Sequence, residues 1–171
     1  NMEFERDTII NYDTVVEVTL CQEETLESIV PDACPDILRI VDVCGQATIS
    51  GKQAREGVAQ VTGMVRASIL YQPEGGGGLR RMEVGLPFTC QAEAPGLTER
   101  GTVLASPRLR CAEARALNPR KVLLRVDLAV DITACQPVER SICGGVTGTD
   151  EEGLCQRQFQ GEHYQLCAVQ E

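Results

Sequence analysis

The chain has 171 residues, of which 43% are apolar and 4% aromatic, with no tryptophan and a formal net charge of −9. That length favours one domain with a short appendage, and the apolar content excludes wholesale disorder. No apolar run approaches the ~18 residues that cross a bilayer or resembles the apolar stretch of a signal peptide, so the expected location is a cytoplasm.

Residues 1–25 read as an acidic, extended lead-in. Residues 1–36 hold ten acids against the single base Arg6. From Thr14 to Val30, Val16, Val18 and Leu20 alternate with acids and threonines, which is the pattern of a strand. The next stretch, Ile29–Ile40, reads I-V-P-D-A-C-P-D-I-L-R-I. Pro31 should end the extended segment. Pro35 suits the first position of a helix, so Pro35–Arg39 is expected to form one short helical turn capped by Asp32. Ile37, Leu38 and Ile40 should then enter the core.

Two long hairpins follow. Ile40–Gly51 precedes the turn Arg55-Glu56-Gly57. Beyond it Ala59, Val61, Gly63, Val65, Ala67, Ile69 and Tyr71 alternate with mostly polar neighbours. Leu104–Leu117 precedes the turn Asn118-Pro119, and Val122, Leu124, Val126, Leu128, Val130, Ile132 and Ala134 alternate in the same way. An offset of about 65 residues keeps these two apolar rows in phase, which fits an internal duplication. Between the hairpins, Glu74–Gly78 reads as a glycine-rich tip. Met82–Cys90 reads as an edge strand or bulge because it contains Pro87. Gln91–Arg100 reads as a loop. Residues 138–171 read as a linker followed by a second alternating stretch. The expected fold is all-β, a sandwich or open barrel of long β-hairpins.

The chemistry-bearing residues do not group. Nine cysteines occur (21, 34, 44, 90, 111, 135, 143, 155 and 167), the closest two are eight apart, and His163 is the only histidine. Zinc ribbons and fingers need tight ligand pairs, and none is present. The odd count argues against a complete intrachain disulfide framework. The run Gly45–Gln53 brushes against a phosphate-binding loop but carries five residues between its glycines, and Gln53 stands where a hydroxyl would hold magnesium. Gly75–Gly78 leads into a strand rather than a helix, so it makes no anion cradle. Asp32 and Asp36 sit beside prolines, where acids serve turns. No nucleophile, base and orienter assemble, and the chain is read as non-enzymatic, with no cofactor and no metal. The alternative reading is a metal- or small-ligand-binding β module that uses its cysteines.

Sign is unevenly distributed. Residues 99–125 hold seven bases against Glu99 and Glu113. Without interleaved aromatics this stretch is a poor nucleic-acid surface. Arg80, Arg81, Arg108, Arg110, Arg115, Arg120 and Lys121 are instead the candidate partner contacts, alongside the unpaired backbone of exposed edge strands.

Ile29-Val30-Pro31 followed by Cys34-Pro35-Asp36-Ile37-Leu38-Arg39-Ile40-Val41 resembles the opening of the SPOCS domain, a family of spore-coat and coat-morphogenesis proteins of endospore-forming Firmicutes. Gly57–Gln72, Leu86-Pro87-Phe88 and Lys121–Thr133 are similar to later elements of the same family, and the likeness spans residues 14–137. The resemblance makes Pro31, Pro35, Asp36 and Ile37 the fold signature and residues 26–137 the SPOCS-like domain. Phe159–Glu171 resembles the start of a further repeat. By the same resemblance the chain is a structural module of coat assembly, in the mother-cell cytoplasm at the forespore surface. Its expected partners are other coat proteins, among them the coat-basement morphogenetic ATPase, or further copies of itself. No segment resembles the LysM domain that often accompanies the family.

Overall fold

The computed structural model describes residues 3–147 as six antiparallel strands. They are β1 (Glu3–Ile29), β2 (Ile37–Arg55), β3 (Val58–Pro73), β4 (Arg80–Glu93), β5 (Thr102–Asn118) and β6 (Lys121–Thr147). His163, Cys155, Cys167 and the repeat-like Phe159–Glu171 lie outside the described residues, as does most of the expected linker.

The strands form two three-stranded sheets, ordered β1-β6-β5 and β2-β3-β4. The architecture is sandwich-like and does not close into a barrel. Both expected hairpins are present. Glu56 and Gly57 turn β2 into β3, with Gly57 at a φ of 71° that favours glycine. Pro119 and Arg120 turn β5 into β6, where Asn118 pairs with Lys121. β1 runs against β6, since Thr14 meets Cys135, Glu23 meets Arg125 and Glu27 meets Lys121. The two sheets share one plan, with β1 standing beside β6 where β4 stands beside β3.

Residues 10–140 form the larger compact body of the chain. In the larger body, the inner rows of the central strands are fully buried. β3 contributes Val61, Val65, Ile69 and Tyr71, and β6 contributes Val122, Leu124, Val126, Leu128, Val130 and Ile132. This is the alternation of a half-buried strand, one face inward and one face wet. β4 buries Met82, Val84, Leu86, Phe88, Cys90 and Ala92. Pro87 lies in this edge strand, where a missing N–H is tolerated. β2 and β5 run side by side along one flank of the sandwich, half-exposed, with no backbone hydrogen bonds between them.

The expected helical turn is corrected. Pro31–Cys34 forms a reverse turn closed by the Cys34 N–H donating to the Pro31 carbonyl at 2.8 Å, and Ile37 already belongs to β2. Two forces exclude the helix. Pro35 disfavours helical backbone at Cys34. The backbone is also held in its extended course from outside: Ile37 N–H donates to Pro119 O, and Asp36 O accepts from Glu74 N–H, both at 2.9 Å. Asp32 caps nothing. Its carboxylate is fully exposed, 3.9 Å from Arg120. Ile37 enters the core and Ile40 is half-buried, but Leu38 is 57% exposed, because strand alternation turns it away from the core.

Candidate functional site

The signature stretch is the place where the chain leaves one sheet for the other. Val30, the last core residue before the turn, donates its N–H to Arg120 O at 2.8 Å. Arg120, at the tip of the β5–β6 turn, then reaches back with both arms of its guanidinium. One nitrogen donates to Cys34 O at 2.7 Å and Asp36 Oδ1 at 3.1 Å. The other donates to Val30 O and Pro31 O, each at 3.0 Å. The planar fork of arginine suits such convergent oxygens, and the point charge of a lysine does not. The Asn118 side chain fixes the turn itself by accepting from Arg120 N–H at 2.8 Å.

From the other sheet, the buried Tyr71 hydroxyl donates to Pro35 O at 3.0 Å. Burial pushes the Tyr71 phenol above its ordinary value of 10.0, and neighbouring Cys34 adds to this against the opposing pull of Arg120 and Arg80. The folded state therefore favours the neutral phenol. Its contribution is complete below the ordinary phenol value and is lost as pH rises through the raised one. Tyr71→Phe is expected to lower stability by about 1 kcal/mol at neutral pH and to flatten the alkaline loss above about pH 10. Thermal melts of both proteins across that range check this; identical alkaline slopes would contradict it.

The candidate basic contacts fall into two groups. Arg120 belongs to the clamp. On the outer face of the β1-β6-β5 sheet, Arg108 pairs with Asp131 at 3.0 Å, Lys121 with Glu27 at 3.3 Å, and Arg125 bridges Glu23 on β1 and Glu113 on β5. Asp131 also accepts from Thr19 at 2.5 Å, and this bond, ahead of Arg108, holds its carboxyl below the usual value. Two acids of the first 36 residues, Glu23 and Glu27, thus meet bases of 99–125 across one sheet, as exposed pairs that each contribute little alone. Arg81 pairs with Glu83 on its own strand. Arg110 reaches only the Cys21 sulfur, at 3.8 Å. Arg115 and Arg80 have no ion pair or side-chain hydrogen bond among the described residues.

The seven described cysteines form no disulfide. Cys90 is buried and donates to Gln22 Oε1 at 3.1 Å. Burial pushes its thiol up, with Glu24 adding to the effect, which is the reverse of an activated nucleophile. Among the described residues, no three of His, Cys, Asp or Glu group closely enough to hold a metal ion.

What charge counting missed is an apolar end. Ile29, Leu38, Val41, Leu79 and Leu117 are between 41% and 71% exposed. All lie close in sequence to the hydrogen bonds Val30–Arg120, Ile37–Pro119 and Glu74–Asp36 that draw the clamp together. Val41 also lines a groove of about 730 Å³ between the two edge strands, formed by Ile40–Val43 of β2, Ala112–Arg115 of β5, and Leu123 and Arg125 of β6. The signal in the sequence was the apolar residues that break strict alternation beside the prolines.

No curated protein and no solved structure gives a significant match to the chain. One family model does: "SipL, SPOCS domain" matches residues 36–115, from the last residue of the clamped loop through the β2-β3-β4 sheet and into β5. Gly57–Gln72 and Leu86-Pro87-Phe88 fall inside the match, with Asp36 and Ile37 at its start; Pro31, Pro35 and Lys121–Thr133 fall outside it. Over residues 36–115 the chain is thus similar to the SPOCS domain of the SipL family.

Proposed function

We propose that this protein is a non-enzymatic assembly module of spore-coat morphogenesis, working at the forespore surface in the mother-cell cytoplasm and binding other coat or coat-basement proteins. The observation that carries the reading is the SPOCS match over residues 36–115. The family points to a role in sporulation, and SPOCS is not a known enzyme family. The exposure of Ile29, Leu38, Val41, Leu79 and Leu117 supports a binding role, since large apolar side chains left in water are candidates for contact with a partner.

The test uses the immobilised chain and the purified coat-basement morphogenetic ATPase. Retention of the ATPase, weakened when Leu38 and Val41 are both changed to serine, is the expected result. Loss of the proposal follows if neither the ATPase nor any purified coat protein is retained, or if the gene is expressed equally in vegetative cells.

A further inference from the structure

The outer faces of the two sheets differ in kind. That of β1-β6-β5 carries the ion pairs Arg108–Asp131 and Lys121–Glu27 and the bridge from Arg125 to Glu23 and Glu113. On β2-β3-β4, the outward residues of β3 alternate with the buried row Ala59–Tyr71. Four successive cross-strand rows of this face are centred on Gln60, Thr62, Met64 and Arg66. Their partners on β2 and β4 are all glutamine, threonine, glycine or proline. Lys52 aligns with buried Val61 and so belongs to the other face. The patch thus holds no acid and no lysine, in a chain of which 24% is charged. Acids return only at its ends, with Asp42 and Glu83 at one and Glu93 at the other.

This is the composition of a contact: Lys, Glu and Asp are depleted at the centre, Met and Arg are kept, and the rim is polar. The size agrees. β4 is 14 residues long. At ~3.3 Å per residue, across three strands ~4.8 Å apart, the face measures roughly 650 Å², or about 1,300 Å² for two such faces together. A stable interface of standard size buries about 1,200–2,000 Å² in total. Along β4, every outward residue from Glu83 to Gln91 is exposed.

We propose that this face is covered by the same face of a second copy of the chain, in a two-fold, sheet-on-sheet dimer with the two β3 strands antiparallel. Charge selects the occupant. At −9 the two copies repel each other, and the least costly approach is through the surface that carries no acid. Stacking two sheets about 10 Å apart sets uncharged rows against each other, with no carboxylate to desolvate. The two-fold axis passes between the Thr62 and Met64 rows, at the middle of the patch. Arg66 of one copy then lies over the Gln60 row of the other, where amide oxygens accept from it, and not over itself. The contact uses one surface twice, so association stops at a dimer. This inference is independent of any coat partner.

Sedimentation velocity of the purified chain over a concentration series, at low and high salt, tests it. The expected result is a monomer–dimer equilibrium that does not weaken as salt rises, because no ion pair holds the contact together. Met64 lies beside the axis, so a charge placed there stands close to the same charge on the other copy. Met64→Lys alone and Met64→Glu alone should each weaken the dimer about tenfold or more. An equimolar mixture of the two should recover it, because the new charges then attract. Circular dichroism checks that the variants are folded; if either is not, Thr62→Lys and Thr62→Glu, across the axis, carry the same expectation. A chain that stays monomeric to millimolar concentration overturns the proposal. So does association that runs on beyond a dimer, a dimer that both variants leave intact, or a mixture no stronger than either variant. None of these outcomes bears on retention of the coat ATPase.

Discussion

Gly63→Ala is expected to lower stability by about 3 kcal/mol, at the upper end of the cost of overpacking a core. Gly63 lies in the central strand β3, opposite Phe88 of β4. A Cβ there would run into the Phe88 ring tip on one side and the Thr48 carbonyl oxygen on the other. The ring is part of the buried core at 4% exposure, and the carbonyl belongs to β2, so neither yields easily. Here glycine is required by close approach rather than by an unusual φ. At 2–4 °C per kcal/mol for a chain of this size, the melting temperature should fall by roughly 6–12 °C. Gly85→Ala is the control. Its Cβ would meet only the Met64 sulfur at 3.4 Å, and the melting temperature should stay within a few degrees. Adding Phe88→Leu to Gly63→Ala should recover part of the loss, a coupling that distant sites do not show. If the two glycine variants melt together, the close approach is not what holds Gly63 in place.

Arg120→Met is expected to cost about 3 kcal/mol. It keeps the aliphatic stem and removes donors to three carbonyls and one carboxylate, each bond to a charged group being worth about 1.5–3 kcal/mol before solvent screening of a side chain that is one-third exposed. Arg120→Lys should restore little, because an ammonium cannot address oxygens on both sides of the turn. Amide hydrogen exchange gives the local readout. The Val30 and Ile37 N–H groups, bonded to Arg120 O and Pro119 O, should exchange faster in Arg120→Met, while the Val65 and Ile69 amides in the middle of β3 follow only the global stability. A variant that melts like the wild type but no longer binds a coat protein would make Arg120 a contact residue and not a clamp.

Much of the fold is written in alternation. The rows Val61–Tyr71 and Val122–Ala134 are unambiguous because a period of two over a dozen residues has no other stable solution than a half-buried strand. The turns at Gly57 and Pro119 are equally plain. Topology is not local, and this is where reading from residues stopped. Nothing in Thr14–Val30 says that its neighbour is β6. The excess of acid at one end and base near the other could therefore be read as a surface for partners, when the sheet brings Glu23 to Arg125 and Glu27 to Lys121. Arg120 illustrates the difficulty. Counted in a basic cluster it looks like a contact residue, and its four acceptors come from a segment more than eighty residues earlier. The short helix failed for a related reason. Pro35 is compatible with a first helical position, but the competing hydrogen bonds came from Pro119 and Glu74, which local propensity does not register.

The pairing of β1 with β6 also has a consequence in time. The β2-β3-β4 sheet is made of sequence neighbours and can close as soon as residues 37–93 are made. β1 must wait for a strand that begins at Lys121, and the Thr14–Cys135 contact spans 121 residues. Such distant pairings form late, because the chain between them must first be gathered. During synthesis, a strand with Val16, Val18 and Leu20 on one face therefore stands without a partner. Its acids Asp13, Glu17, Glu23 and Glu27 alternate onto the opposite face, and like charges set against each other disfavour the pairing of one such strand with another.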